Sequence, residues 1–172
     1  EFEIFPNGAP VTIQQEDGAV TLQSGGLLVR IQNKDGWKTD FRYKNRRLTG
    51  SGHKGLAHIE DMHNQTFVRE QLDLGVGEYV YGLGERFTPF VKNGQVVDIW
   101  NEDGGTSSEQ AYKSIPFYLS SKGYGVFVNH PELVSFEVAS ENVSKVQFSV
   151  KGEYLDYFII GGETLKDVLT NY

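Results

Sequence analysis

Residues 124–160 read YGVFVNHPELVSFEVASENVSKVQFSVKGEYLDYFII, and the fold is decided in that stretch. Successive side chains of a β-strand point to opposite faces, so a strand with one face in a core and the other in water alternates apolar with polar residues. Val134, Phe136 and Val138 alternate with Ser135 and Glu137, and Val146, Phe148 and Val150 alternate with Lys145, Gln147 and Ser149. On either side, Tyr124-Gly125-Val126-Phe127-Val128 and Tyr157-Phe158-Ile159-Ile160 are nearly continuous apolar runs. They are too short for a buried helix and rich in aromatic and β-branched residues, which predicts central strands that build the core.

Working outward, Leu27, Val29 and Ile31 alternate with Leu28, Arg30 and Gln32. Turn signals separate such segments at Lys34-Asp35-Gly36, Lys92-Asn93-Gly94, Ser121-Lys122-Gly123 and Glu141-Asn142, where Gly or Asn supplies a positive φ. Hairpins between neighbouring strands are therefore expected. Many short strands at close spacing predict an all-β fold, an antiparallel β-sandwich of two sheets burying their alternating faces against each other. Only the end differs. Thr164 is placed to cap a short C-terminal helix with Asp167 three residues on, and Leu165, Val168, Leu169 and Tyr172 share one face of it. The division expected is a sandwich over residues 1–163 and the start of a helix over 164–172. The least regular stretch is Asn45 to Asn64, with Gly50-Ser51-Gly52 and three histidines.

A length of 172 residues suffices to bury a core and fits one domain. The net charge of -7 is spread along the chain, leaving no basic face for a phosphate backbone, so nucleic acid is not an expected partner. No apolar run approaches the length of a bilayer span, and no membrane partner is expected. The chain has no cysteine, which removes disulfide frameworks and thiolate chemistry and makes the cytoplasm the expected location. It begins without Met and stops as the helix begins, as a piece cut from a longer protein would.

The segment Ile99-Trp100-Asn101-Glu102-Asp103-Gly104-Gly105-Thr106-Ser107 gathers an aromatic, an amide, two carboxylates and two hydroxyls beside glycines. Carbohydrates are held by such groups, the polar ones taking hydroxyls and the aromatic covering the C–H face of the ring. The plainer alternative is an acidic turn cornered at Asp103-Gly104 with Trp100 in the core. Glu102 and Asp103 are sequence neighbours whose side chains diverge in an extended segment, so they are not a glycosidase pair, which must converge on one bond. Glu60-Asp61 fails in the same way. His53, His58 and His63 are spaced at intervals matching neither a helical zinc motif nor a strand face, which predicts a polar surface loop and no metal. His130, before Pro131, reads as a hydrogen-bonded structural residue. Gly75-Val76-Gly77-Glu78 and Gly82-Leu83-Gly84-Glu85-Arg86 complete no phosphate-binding fingerprint, so no nucleotide or other cofactor is expected; their glycines mark bends where backbone passes close to backbone.

The run from Leu72 through Gly75-Val76-Gly77-Glu78-Tyr79-Val80-Tyr81-Gly82-Leu83-Gly84-Glu85-Arg86 to Phe87 resembles the segment preceding the catalytic barrel in glycoside hydrolase family 31. The resemblance continues in order through Asn93-Gly94-Gln95, Trp100-Asn101-Glu102-Asp103-Gly104-Gly105-Thr106, Glu109-Gln110-Ala111-Tyr112-Lys113, Ile115-Pro116-Phe117-Tyr118, Gly123-Tyr124-Gly125-Val126 and Val128-Asn129-His130-Pro131. Within that family it is most similar to bacterial α-xylosidases, and it weakens before about residue 65.

The resemblance implies a galactose-mutarotase-like β-sandwich, with the helix from Thr164 leading toward a (β/α)8 barrel. It implies a retaining α-glycosidase whose two catalytic carboxylates lie on that barrel, so that this chain carries no catalytic residue and needs no cofactor or metal. The partners implied are an α-linked sugar, the enzyme's own barrel and, for the full-length parent, a second copy of itself. By the same resemblance Asp103 contacts sugar at the mouth of the active site. Trp100 and Asn101 shape the segment, Gly104 and Gly105 let it bend, and Thr106 lines the pocket. Glu102 stands where the family usually has a basic residue. Two other functions stay open at this point: an autonomous carbohydrate-binding module, for which Trp100 and the many tyrosines speak, and sugar epimerisation, for which only the fold speaks.

Overall fold

The structure, a computed structural model, describes residues 9–102, 111 and 113–172. In chain order the strands are β1 (Thr12–Glu16), β2 (Ala19–Ser24), β3 (Leu27–Gln32), β4 (Lys38–Tyr43), β5 (Arg46–Ser51), β6 (Ala57–Glu60) and β7 (Thr66–Asp73). They continue as β8 (Val80–Gly82), β9 (Gln95–Ile99), β10 (Phe117–Ser120), β11 (Tyr124–Val128), β12 (Val134–Val138), β13 (Lys145–Lys151) and β14 (Tyr157–Gly161), followed by helix α1 (Leu165–Asn171). All strand pairs are antiparallel.

These strands form three hydrogen-bonded sheets where two were expected. One is the meander β1-β2-β3-β4-β5, one is β6-β7-β13-β12-β9, and one is β14-β11-β10-β8. Their inner faces meet in a single cluster that includes Phe41 and Leu48 of the first sheet, Leu72, Phe136 and Phe148 of the second, and Tyr118, Tyr124 and Val126 of the third. An aromatic chain ties the three together. Tyr118 meets Phe136 edge-on at 6.2 Å, Phe136 meets Phe148 at 5.9 Å, Phe148 meets Tyr157 at 5.2 Å and Tyr157 meets Phe41 at 6.5 Å. Burying each such ring is worth about 1.5–3 kcal/mol, so the core is the main support of the fold.

The alternating segments behave as read: Val134, Phe136 and Val138 are buried, with Ser135 and Glu137 between them less so. The continuous run of β11 is buried at every position because both faces of its sheet are covered. Val126 and Val128 face the sandwich core, whereas Phe127, with Phe117, packs against Val168 of α1. The other continuous run is not a central strand, since β14 closes the edge of its sheet. It is apolar because Tyr157 and Ile159 face the core while Phe158 and Ile160 lie on the α1 side.

Three of the four turn signals close hairpins, at 34–36, 121–123 and 141–142. Lys92-Asn93-Gly94 does not: it carries the chain from β8 in one sheet to β9 in another. In the β12–β13 turn the positive φ belongs to Ala139 (52°) and not to Asn142, whose side-chain oxygen instead accepts the Ser144 N–H at 3.0 Å. The stretch 45–64 is not irregular, because β5 and β6 fall within it.

Helix α1 starts as its sequence dictates. The Thr164 hydroxyl accepts the Asp167 N–H, and the Asp167 carboxylate accepts the Thr164 N–H at 2.9 Å, a reciprocal capping box. Of the shared face only Val168 is buried; Leu165, Leu169 and Tyr172 are exposed, although the Tyr172 ring stacks on Phe117 at 4.0 Å. Among the described residues no helix is long and apolar enough to cross a membrane.

Candidate functional site

Strand β9 ends at Ile99, and Trp100 and Asn101 leave it beside a segment that the glycines of 82–86 bring close. Gly82 has φ 103 and Gly84 φ 86. A Cβ on Gly82 would stand 2.8 Å from the Phe117 carbonyl oxygen, and one on Gly84 would collide with that of Lys113. This is the close backbone passage expected of these glycines. Leu83 between them is held at φ 64 with its side chain fully buried, so packing sustains a conformation that a bulky residue rarely adopts. The Glu85 N–H then donates to Lys113 O at 3.0 Å, and the two side chains pair at 2.7 Å in full view of solvent.

Arg86 gathers the surrounding backbone. Its Nε donates to Leu83 O at 2.9 Å, and its Nη2 donates to Asp98 O at 2.7 Å and to Ser114 Oγ at 2.9 Å. Ser114 passes the connection on: its hydroxyl donates to Trp100 O at 3.2 Å and its N–H to Asn101 Oδ1 at 2.9 Å. One step further, the Glu102 N–H donates to Ala111 O at 2.9 Å, where Asn101 and Ala111 form an isolated bridge. The base of the segment 102–111 is thus clamped at three successive residues. The cation of Arg86 also reaches Lys92, a buried lysine whose ammonium is weakened first by burial and then by that neighbouring charge.

Trp100 is 49% exposed, which removes the reading that placed it in the core. With Ile99, Asn101, Pro116, His130 and Glu132 it lines an open groove of about 350 Å³. His130 is fixed as the sequence suggested. Its Nδ1 accepts the Glu132 N–H at 3.2 Å, which leaves the ring proton of neutral imidazole on Nε2, and its ring lies 5.0 Å from that of Tyr154. Of the four candidate sugar contacts, the structure brings Trp100 and Asn101 to one groove wall. Asp103 and Thr106, with Gly104 and Gly105, lie outside the described residues.

Two charged residues inside the quoted motifs hold structural positions that the sequence did not assign. One is Arg86. The other is Glu78, only 3% exposed. Its Oε1 accepts from the hydroxyls of Ser120 and, at 2.8 Å, Tyr124; its Oε2 accepts the Gly75 N–H at 2.7 Å and pairs with Lys122 Nζ at 2.9 Å. Burial, followed by the Glu78 charge, pushes the Tyr124 hydroxyl far up, so it stays a donor. The only sequence signal for this knot was an acidic residue closing a Gly-Val-Gly run. The histidines take ordinary parts: His58 stands on β6 with its Nε2 2.9 Å from Glu153, while Asp61 accepts the N–H groups of His63 and Gln65 in the β6–β7 turn.

The described residues thus form an antiparallel β-sandwich with Trp100 and Asn101 on one wall of an open groove. The glycosyl hydrolase 31 N-terminal galactose mutarotase-like domain model matches residues 2–137, and the chain belongs to that family. The chain is 50% identical, over its whole length, to 23% of alpha-xylosidase XylQ of Lactiplantibacillus pentosus. Over 77% of its length it is 51% identical to 19% of an alpha-xylosidase of Emericella nidulans. The chain therefore spans under a quarter of the length of these relatives. The cycloalternan-forming enzyme of Listeria monocytogenes, solved with a pentasaccharide substrate, shares the fold with a TM-score of 0.85 at 22% identity, over 99% of this chain and 17% of that one.

Proposed function

We propose that this chain is the non-catalytic sandwich domain of a retaining α-glycosidase acting on α-xylosides, working in carbohydrate metabolism together with a (β/α)8 barrel. The observation that carries this reading is 50% identity across the entire chain to a protein named as an alpha-xylosidase. Trp100, Asn101, Asp103 and Thr106 are its contribution to the sugar pocket, and the catalytic carboxylates belong to the barrel. The half-exposed Trp100 supports this part, since an indole face left open to solvent on a groove wall is suited to the C–H surface of a sugar ring. In the assay, p-nitrophenyl α-xyloside is offered to the full-length parent and to the isolated chain. Turnover by the parent and none by the chain are expected; turnover by the purified chain would refute the placement of the catalytic residues.

The same open groove favours a second reading, an autonomous sugar-binding module. Calorimetry of the isolated chain with xylose and xylose-containing oligosaccharides separates the two, because saturable binding without the barrel is expected only of a module. A loop that completes another domain's pocket buries too little ligand to hold it alone.

A further inference from the structure

We propose that Arg86, acting through Ser114, is the positioning residue that holds Trp100 and Asn101 at the groove wall and thereby sets sugar affinity without touching sugar. The inference deepens the proposed function and rests on it. A guanidinium offers five N–H donors in a rigid plane, and here they serve acceptors on three separate stretches of chain: Leu83 O, Asp98 O and Ser114 Oγ. Leu83 is anchored by its buried side chain and by the glycines on either side, so that end of the brace is fixed. The Asp98 carbonyl belongs to β9, two residues before Trp100. The Ser114 hydroxyl, accepting from the cation, turns its own hydrogen to the Trp100 carbonyl, and a hydroxyl polarised by a charged donor is itself a stronger donor. Ser114 completes the grip through its N–H on Asn101 Oδ1. Trp100 is therefore held through the hydroxyl that the cation contacts, and Asn101 through the backbone N–H of the same serine.

A lysine in place of Arg86 presents all its donors at one nitrogen and cannot reach three diverging acceptors in a plane, so the two cations are not equivalent here. Removing the brace lets Trp100 shift relative to a bound sugar. A contact made equally in the ground and transition states appears in KM and leaves kcat alone. A purely structural arginine behaves differently: its loss lowers the melting temperature and the fraction of active enzyme, but not the affinity of the molecules that remain folded.

The test uses the full-length parent with p-nitrophenyl α-xyloside, comparing Arg86→Lys, Ser114→Ala, the double variant and Trp100→Ala, with thermal melts alongside. The expected result is a KM raised about three- to tenfold in Arg86→Lys and somewhat less in Ser114→Ala. In both, kcat stays within about twofold. The double variant should fall short of the product of the singles, because both act through the same carbonyl. Should Arg86→Lys fail to fold, Ser114→Ala, which removes a single oxygen, decides alone. Unchanged KM in the brace variants with a raised KM in Trp100→Ala overturns the brace and leaves the proposed function standing. Unchanged KM in all of them overturns both. A lowered melting temperature with normal KM in the folded enzyme makes Arg86 a fold brace only and also overturns the proposal.

Discussion

Two short motifs that begin seven residues apart, Gly75-Val76-Gly77-Glu78 and Gly82-Leu83-Gly84-Glu85-Arg86, look alike as sequence and do opposite things with their charge. The first buries its glutamate and surrounds it with donors from Gly75, Ser120, Tyr124 and Lys122. The second leaves Glu85 in solvent with Lys113, at 73% and 62% side-chain exposure, and sends an arginine inward to oxygens of Leu83, Asp98 and Ser114. A glycine-flanked carboxylate is thus neither a site nor a surface turn by its composition. What decides is whether the neighbouring strands supply donors, and that depends on pairings distant in sequence. Glu78 ties the segment after β7 to the β10–β11 hairpin, and Arg86 holds a groove wall.

The largest effect should come from emptying the first motif. Glu78→Ala leaves the buried hydroxyls of Ser120 and Tyr124 facing a void while the Lys122 ammonium, 41% exposed, turns to solvent, and a stability loss of about 2–4 kcal/mol is expected in chemical denaturation. A loss below about 1 kcal/mol would break the contrast. Next comes Gly84→Ala, where a methyl meets the Lys113 carbonyl oxygen at positive φ; about 1–3 kcal/mol should be lost, again by denaturation.

Glu70 on β7 is a third carboxylate, buried like Glu78 but with weaker partners, the Gln71 N–H at 3.0 Å and the Tyr157 hydroxyl at 3.4 Å. Desolvation raises its pKa, offset in part by those hydrogen bonds and one from Ser51. With the folded value above the unfolded one, its contribution to stability is fully present below the unfolded pKa and is lost as pH rises through the folded pKa. Glu70→Gln should therefore match the parent sequence near pH 4 and exceed it in melting temperature toward pH 7. A gap that narrows as pH rises would contradict the assignment. The smallest effect is expected from Glu85→Gln: an exposed pair contributes about 0–0.5 kcal/mol, and its denaturation midpoint should barely move.

The sequence made the local elements legible and the long-range ones illegible. Strands β11 and β12 and the Thr164–Asp167 cap could be read residue by residue, because alternation and capping are local chemistry. The third sheet, the edge position of β14 and the crossover at Lys92-Asn93-Gly94 could not, since nothing in a strand's own pattern names its partner. Strands β5 and β6 were missed because Gly50, Gly52 and the polar residues around them imitate a loop. At the site, residue type alone singled out Trp100 and Asn101, which stand on one groove wall. The roles of Arg86 and Ser114 were not, because most of their acceptors are backbone carbonyls, which carry no signature in sequence.

The measurement that bears most directly on the central claim is kcat/KM of the full-length parent and its Asp103→Ala variant on p-nitrophenyl α-xyloside, with the isolated chain as control. Expected are an active parent, a silent chain and a variant weakened by about 1–3 kcal/mol in transition-state binding. An unimpaired variant would reduce the sandwich to scaffold, and an inactive parent would contradict the assignment to α-xyloside hydrolysis.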